Sequence, residues 1–151
     1  MAVTTENSDE VDLTAANTLL PVSTHGGTVK CSTFSFTQGA AAGDAGSKAI
    51  LSRLPGGKLR VLALDVAFSA MGTSRTLDFG HNGKLELDDT VTAADPDHFS
   101  NGLDVSSAGS ARLLINKEVV SKRGFYPTLQ VNDGTLPIAA TLSGIIWYVV
   151  D

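Results

Sequence analysis

Residues 58–70 read KLRVLALDVAFSA, and their alternation decides the fold class. Leu62, Leu64, Val66 and Phe68 fall on one side of a strand, and Val61, Ala63, Asp65 and Ala67 on the other. Both sides are mostly apolar, which predicts a strand covered at least partly on each face. The same pattern extends outward along the chain. Residues 28–39, TVKCSTFSFTQG, are β-branched and aromatic, with Phe34 and Phe36 on one face and Cys31, Thr33 and Ser35 on the other. A loop, AAAGDAGS, leads to a short strand in SKAILSRL, and Pro55-Gly56-Gly57 signals a turn.

Beyond residue 70 the signals remain those of strands. TSRTLDF (73–79) reads as a strand closed by Gly80, and Asn82-Gly83 as a tight turn with positive φ. SARLLI, Tyr126–Val131 and the closing run LPIAATLSGIIWYVVD read as further strands, with a turn at residues 132–134. One helical signal stands out. In DPDHFSNGLD (95–104), Asp95 can cap, Pro96 suits a first helical position, and Phe99 and Leu103 lie four apart. These observations predict an all-β, antiparallel β-sandwich, jelly-roll-like, with one short helix near 95–103 and an extended N-terminal arm. The expected division is a flexible arm over 1–27 and a sandwich domain over 28–151. The arm is polar and acidic, and Pro21 and Gly26-Gly27 interrupt it. Its patch AANTLLPV suits ordering against a partner.

Composition narrows the function classes. The chain has 151 residues, one domain's worth of core. Charged residues make up 18 %, below the roughly 25 % usual in soluble domains. The net charge of −5 disfavours wrapping nucleic acid, and the basic residues are scattered, with Lys122-Arg123 the one doublet. The N-terminus lacks the pattern of a signal peptide, and IIWYVVD is too short to span a bilayer, so synthesis in the cytoplasm and no membrane contact are expected. The single cysteine, Cys31, excludes an internal disulfide and is expected to be a buried thiol.

Residues 78–108, DFGHNGKLELDDTVTAADPDHFSNGLDVSSA, concentrate two histidines and many aspartates. Three chemistries are open to them. His81, His98 and an aspartate could gather in space around zinc, although no HExxH pair exists. Asp88, Asp89, Asp95, Asp97 and Asp104 could hold calcium, although the spacing of an EF-hand loop is absent. The third reading, a solvated acidic loop with Asp95 used as a helix cap, is the one adopted, so no metal, cofactor or small-molecule substrate is expected. Glu86 and Asp88 could share a sheet face as a carboxylate pair, but any edge strand shows such a pattern. Ser143 lies in an apolar strand and not in a GxSxG elbow. No catalytic residue is assigned.

Several stretches carry a resemblance. FTQGAAAGDAGSKAILSRLPGGKLRVLALDV, TSRTLDFGHNG, ADPDHFSNGLDVSSAG and the terminal WYVVD follow one another as in small virion structural proteins of tailed bacteriophages, of the kind found beside the major capsid gene. The resemblance covers most of residues 28–110, and the insert KLELDDTVTA departs from it. It implies a non-enzymatic capsid decoration or cement protein on the virion surface, partnered by the major capsid protein and by copies of itself as a dimer or trimer. A head–tail or tail component is the neighbouring alternative. A carbohydrate-binding sandwich using Phe125, Tyr126, Trp147 or Tyr148, and a small metal-assisted hydrolase, are the alternatives from other classes.

Overall fold

The computed structural model describes the backbone of residues 5–7 and the whole of residues 28–150. The first half of the chain forms β1 (Thr5–Asn7), β2 (Val29–Thr37), β3 (Lys48–Ile50), β4 (Gly57–Phe68) and β5 (Thr76–Leu85). The second half forms β6 (Val91–Thr92), β7 (Asp95–Asp104), β8 (Gly109–Ser121), β9 (Phe125–Asn132) and β10 (Thr141–Val150). One sheet has the order β1-β3-β9-β5-β6, with β7 also paired to β5, and the other has the order β2-β10-β4-β8. Every pairing is antiparallel except that of β1 with β3.

The two sheets face each other across a shared apolar core. Phe34, Phe36, Leu64, Val66, Leu142, Ile146 and Tyr148 come from the four-stranded sheet, and Leu77, Phe79, Phe99, Phe125, Leu129 and Val131 from the other; all are buried. Burying each such side chain stabilises the fold by about 1.5–3 kcal/mol. The simple alternation expected for β4 is interrupted. Its register with both neighbours shifts between Val61 and Ala63: against β10 Leu62 is an extra residue, and against β8 the extra residue lies in β8, between Leu114 and Lys117. The bulge lets Leu59 and Val61 face the core before it, and Leu64 and Val66 after it, all four at most 2 % exposed. Opposite β4, Gly144 gives β10 its closest approach. A Cβ there would overlap the Asp65 carbonyl oxygen and lie 2.9 Å from the Phe34 ring.

The expected helix is absent: among the described residues there is none, and residues 95–104 are β7. Pro96 is tolerated because β7 is an edge strand, paired with β5 alone, where a missing N–H need not break a ladder. Phe99 and Leu103 still share the inward side, since residues four apart lie on one face of a strand as well as of a helix. Asp95 caps nothing and pairs with His81 instead. Asn82-Gly83 does not reverse the chain. Gly83 has φ +81°, but β5 continues through it to Leu85, and the reversal comes at 86–90, where Glu86 N–H meets the Thr90 carbonyl at 2.8 Å. Cys31 is exposed, because no described residue covers the outer side of β2 there. The proposed arm, 1–27, lies outside the described residues except for Thr5–Asn7, whose backbone pairs with Lys48–Ile50.

Candidate functional site

The acidic region separates into distinct environments. Around the β5–β6 reversal, Asp88 accepts the Thr90 N–H at 3.0 Å, and that bond lowers its pKa below the ordinary carboxylate value. Asp89 takes both of its contacts, 2.6 and 2.7 Å, from the Lys122 ammonium. Glu86 is held by Lys84 and by the Thr92 hydroxyl, and the Lys84 bond first of all lowers its pKa. Asp104 accepts the Ser106 N–H at 2.9 Å, which likewise lowers its pKa. These carboxylates thus have separate partners, and Glu86 and Asp88 lie beyond Leu85, the end of β5, in the reversal and not on a strand face.

Convergence occurs at the other end of β7. Among the described residues, one group of three potential ligands stands out: His81, Asp95 and His98 each offer an atom, and these atoms lie within 4.8 Å of one another. Local irregularity builds the cluster. In a regular strand Asp95 and His98, three apart, would point to opposite faces. The register of β7 against β5 breaks between Phe79 and His81, where two steps along β5 answer the five from Asp95 to Ser100, and this irregular stretch brings both side chains to His81. Gly80 makes room for the crossing, since a Cβ there would overlap the Asp95 and Pro96 carbonyls. A glycine inside an otherwise apolar strand is the signal in the sequence for such a close approach.

The surroundings set the chemistry of the three. Beneath them lies an aromatic floor: Phe99 is centred 6.4 Å and Phe125 6.1 Å from the His81 ring, and Phe79 packs on Phe99 at 4.9 Å. The two imidazoles lie 5.0 Å apart. Burial, then the charge of His98, lowers the His81 pKa, which keeps this ring neutral with a lone pair to give. Its Nδ1 accepts the Gly83 N–H at 3.2 Å. His98 Nδ1 donates to Asp95 Oδ2 at 3.1 Å. Burial works to raise the Asp95 pKa, but the bonds from Asp97 and His98 and both imidazoles hold it low. Two imidazoles and a carboxylate form a donor set suited to a borderline metal ion. The zinc-type gathering weighed from the sequence is therefore the one the fold assembles, whereas the calcium set is dispersed.

The other candidates are placed apart. Tyr148 and Phe125 are core residues. Trp147 is only partly buried on the outer side of the four-stranded sheet, and Tyr126 is exposed beneath the Arg53 guanidinium, 5.9 Å from its ring centre. They form no common platform for a sugar. Ser143 borders a shallow open depression of about 400 Å³ with Asp65, Ala67, Ser110, Arg112 and Ile145, and no histidine lines it.

Solved structures carry the same fold. A chain in the capsid of Ralstonia phage GP4 superposes with a TM-score of 0.66 at 21 % identity, covering 98 % of this chain and 99 % of that one. A chain in the capsid asymmetric unit of cyanophage Pam1 gives 0.55 at 19 % identity, covering 91 % and 96 %. No family model and no curated protein matches the chain. The chain thus shares the all-β fold of chains found in two phage capsids.

Proposed function

We propose that this chain is a structural protein of a phage virion, bound to the head shell as a decoration or cement protein. The observation that carries the reading is whole-chain likeness: the GP4 capsid chain and this one match over nearly their entire lengths, so a domain of this size and fold stands in a phage capsid. The sequence resemblance points to the same class from different information. A compact sandwich whose acidic side chains are engaged in local bonds suits a brace more than a catalyst. The partners are the major capsid protein and further copies of this chain, since closed symmetry is the default for a brace set at a symmetry point of a shell.

The test is made on particles of the phage that encodes the chain. Purified heads should contain it in fixed ratio to the major capsid protein, and cryo-microscopy should show it on the outer surface. Heads assembled without it should rupture at lower temperature. Its absence from purified heads overturns the proposal. Recovery in tail fractions alone assigns it to the tail instead.

A further inference from the structure

We propose that His81, Asp95 and His98 form a binding site for a divalent transition-metal ion of the zinc class, which clips the edge strand β7 to β5. The site is read from this chain's own geometry and stands whether or not the chain decorates a shell.

Zinc sits about 2.1 Å from nitrogen and oxygen ligands, which sets tetrahedral neighbours roughly 3.4 Å apart. His98 Nδ1 and Asp95 Oδ2, at 3.1 Å, already lie near that separation, and each of the three residues offers a ligand atom within 4.8 Å of those of the other two. Side-chain rotation closes the remainder. The donor set selects the metal. Two imidazoles disfavour calcium and magnesium, which take oxygen ligands, and favour zinc, nickel or copper. Asp97 lies within hydrogen-bonding reach of Asp95, so a second carboxyl group stands beside the site. Two lysines stand near the site with partners of their own: Lys84 is occupied by Glu86 and by the Val120 carbonyl, and Lys117 by the His98 carbonyl. Three protein ligands leave a fourth position for water or for a donor from a neighbouring molecule.

Binding requires two adjustments. His98 gives up the Nδ1 proton it lends to Asp95, and that proton moves to the far ring nitrogen or to solvent. His81 turns toward the ion, giving up the long Gly83 contact where it binds through Nδ1 and keeping it where it binds through Nε2. Gly83 sits in a positive-φ kink of β5, where a small backbone shift meets little resistance. In exchange, the ion spans the register break between Phe79 and His81, where Asp95 and Ser100 of β7 flank the irregular stretch.

The experiment uses the full chain, tag-free and stripped with chelator, titrated with zinc chloride by calorimetry and, in parallel, with cobalt chloride by visible absorption. We expect saturation near one equivalent, tetrahedral cobalt bands, and a melting temperature that rises with zinc by mass action and is unmoved by calcium. His98→Ala and Asp95→Ala should each weaken binding by more than about 100-fold, beyond the 10–100-fold loss typical of an outer partner. Asp104→Ala should bind as the parent does. Because His81 is buried and its replacement can unfold the chain, the two partly exposed ligands carry the test. No saturable binding, or binding indifferent to both His98→Ala and Asp95→Ala, overturns the proposal.

Discussion

Trp147 donates its indole N–H to Asp65 Oδ2 at 2.7 Å, joining β10 to β4 on the outer side of the four-stranded sheet. Arg112 meets the other oxygen of the same carboxylate at 3.3 Å, so Asp65 links three adjacent strands. Asp65→Ala removes an acceptor from a partly buried indole. A loss of about 1–3 kcal/mol is expected, as for hydrogen bonds to a charged group. Chemical denaturation monitored by tryptophan emission measures it. The emission of the folded parent should fall between those of buried and free indole, and should shift to the red in the variant. An unchanged midpoint together with unchanged emission would show that the bond contributes nothing.

Gly144→Ala should be among the most damaging single substitutions outside the large core residues. The new methyl group would meet the Asp65 backbone oxygen, which cannot rotate away, and the Phe34 ring. Separating β10 from β4 to make room should cost about 1–3 kcal/mol or more. A thermal melt decides the point. Gly39→Ala is the control, because a Cβ there has nothing within 4 Å. Equal melting temperatures for the two variants would refute the packing argument.

The strands were legible because two-residue alternation survives on both sides of this core, as at Phe34 and Phe36 or at Ile146 and Tyr148. The misreading at 95–104 has a specific cause. Phe99 and Leu103 satisfy helix and strand equally, and Asp-Pro looks like a helix start wherever it occurs. What excludes the helix is tertiary: β5 offers an edge for β7 to pair with, and Gly80 lets it approach. For the same reason the three ligand candidates could be named from the sequence but not joined. Their meeting depends on the register break between Phe79 and His81, which no local spacing encodes. Cys31 was placed on the correct face of β2, but its exposure depends on what covers that face.

Acid should destabilise the metal-free chain beginning in the range where histidine titrates. Burial and the charge of His98 lower the His81 pKa in the folded state, against a value near 6.5 when unfolded. As pH falls below about 6.5, the unfolded state takes up a proton that folded His81 resists, so stability declines until the lowered folded pKa is passed. The lowered carboxyl of Asp95 adds a second decline at lower pH, beginning near its unfolded value of about 3.9. Melting temperatures in chelator at pH 7.5 and 5.5 should therefore differ, with the acid value lower. His81→Phe, if it folds, should narrow the gap. A flat profile from 7.5 to 5.5 would mean that His81 is as easily protonated in the fold as outside it.

Removing residues 1–27 should leave the sandwich folded, because every residue of the described core lies at position 34 or beyond. The loss is the parallel pairing of Thr5–Asn7 with Lys48–Ile50, a three-residue edge ladder whose absence should lower the melting temperature only slightly. The exposed edge of β3 has a second consequence. An uncovered strand edge is a template for pairing with another chain, so the truncated protein should associate more readily at high concentration. If the segment serves as an arm toward neighbouring subunits, truncation should also weaken attachment to particles, and more than it weakens the fold. Circular dichroism, light scattering and particle co-sedimentation of the two chains separate these effects. An unfolded truncated chain would mean that the first 27 residues supply core after all. A folded one that binds particles undiminished would remove the arm from the account of attachment and leave that task to the sandwich surface.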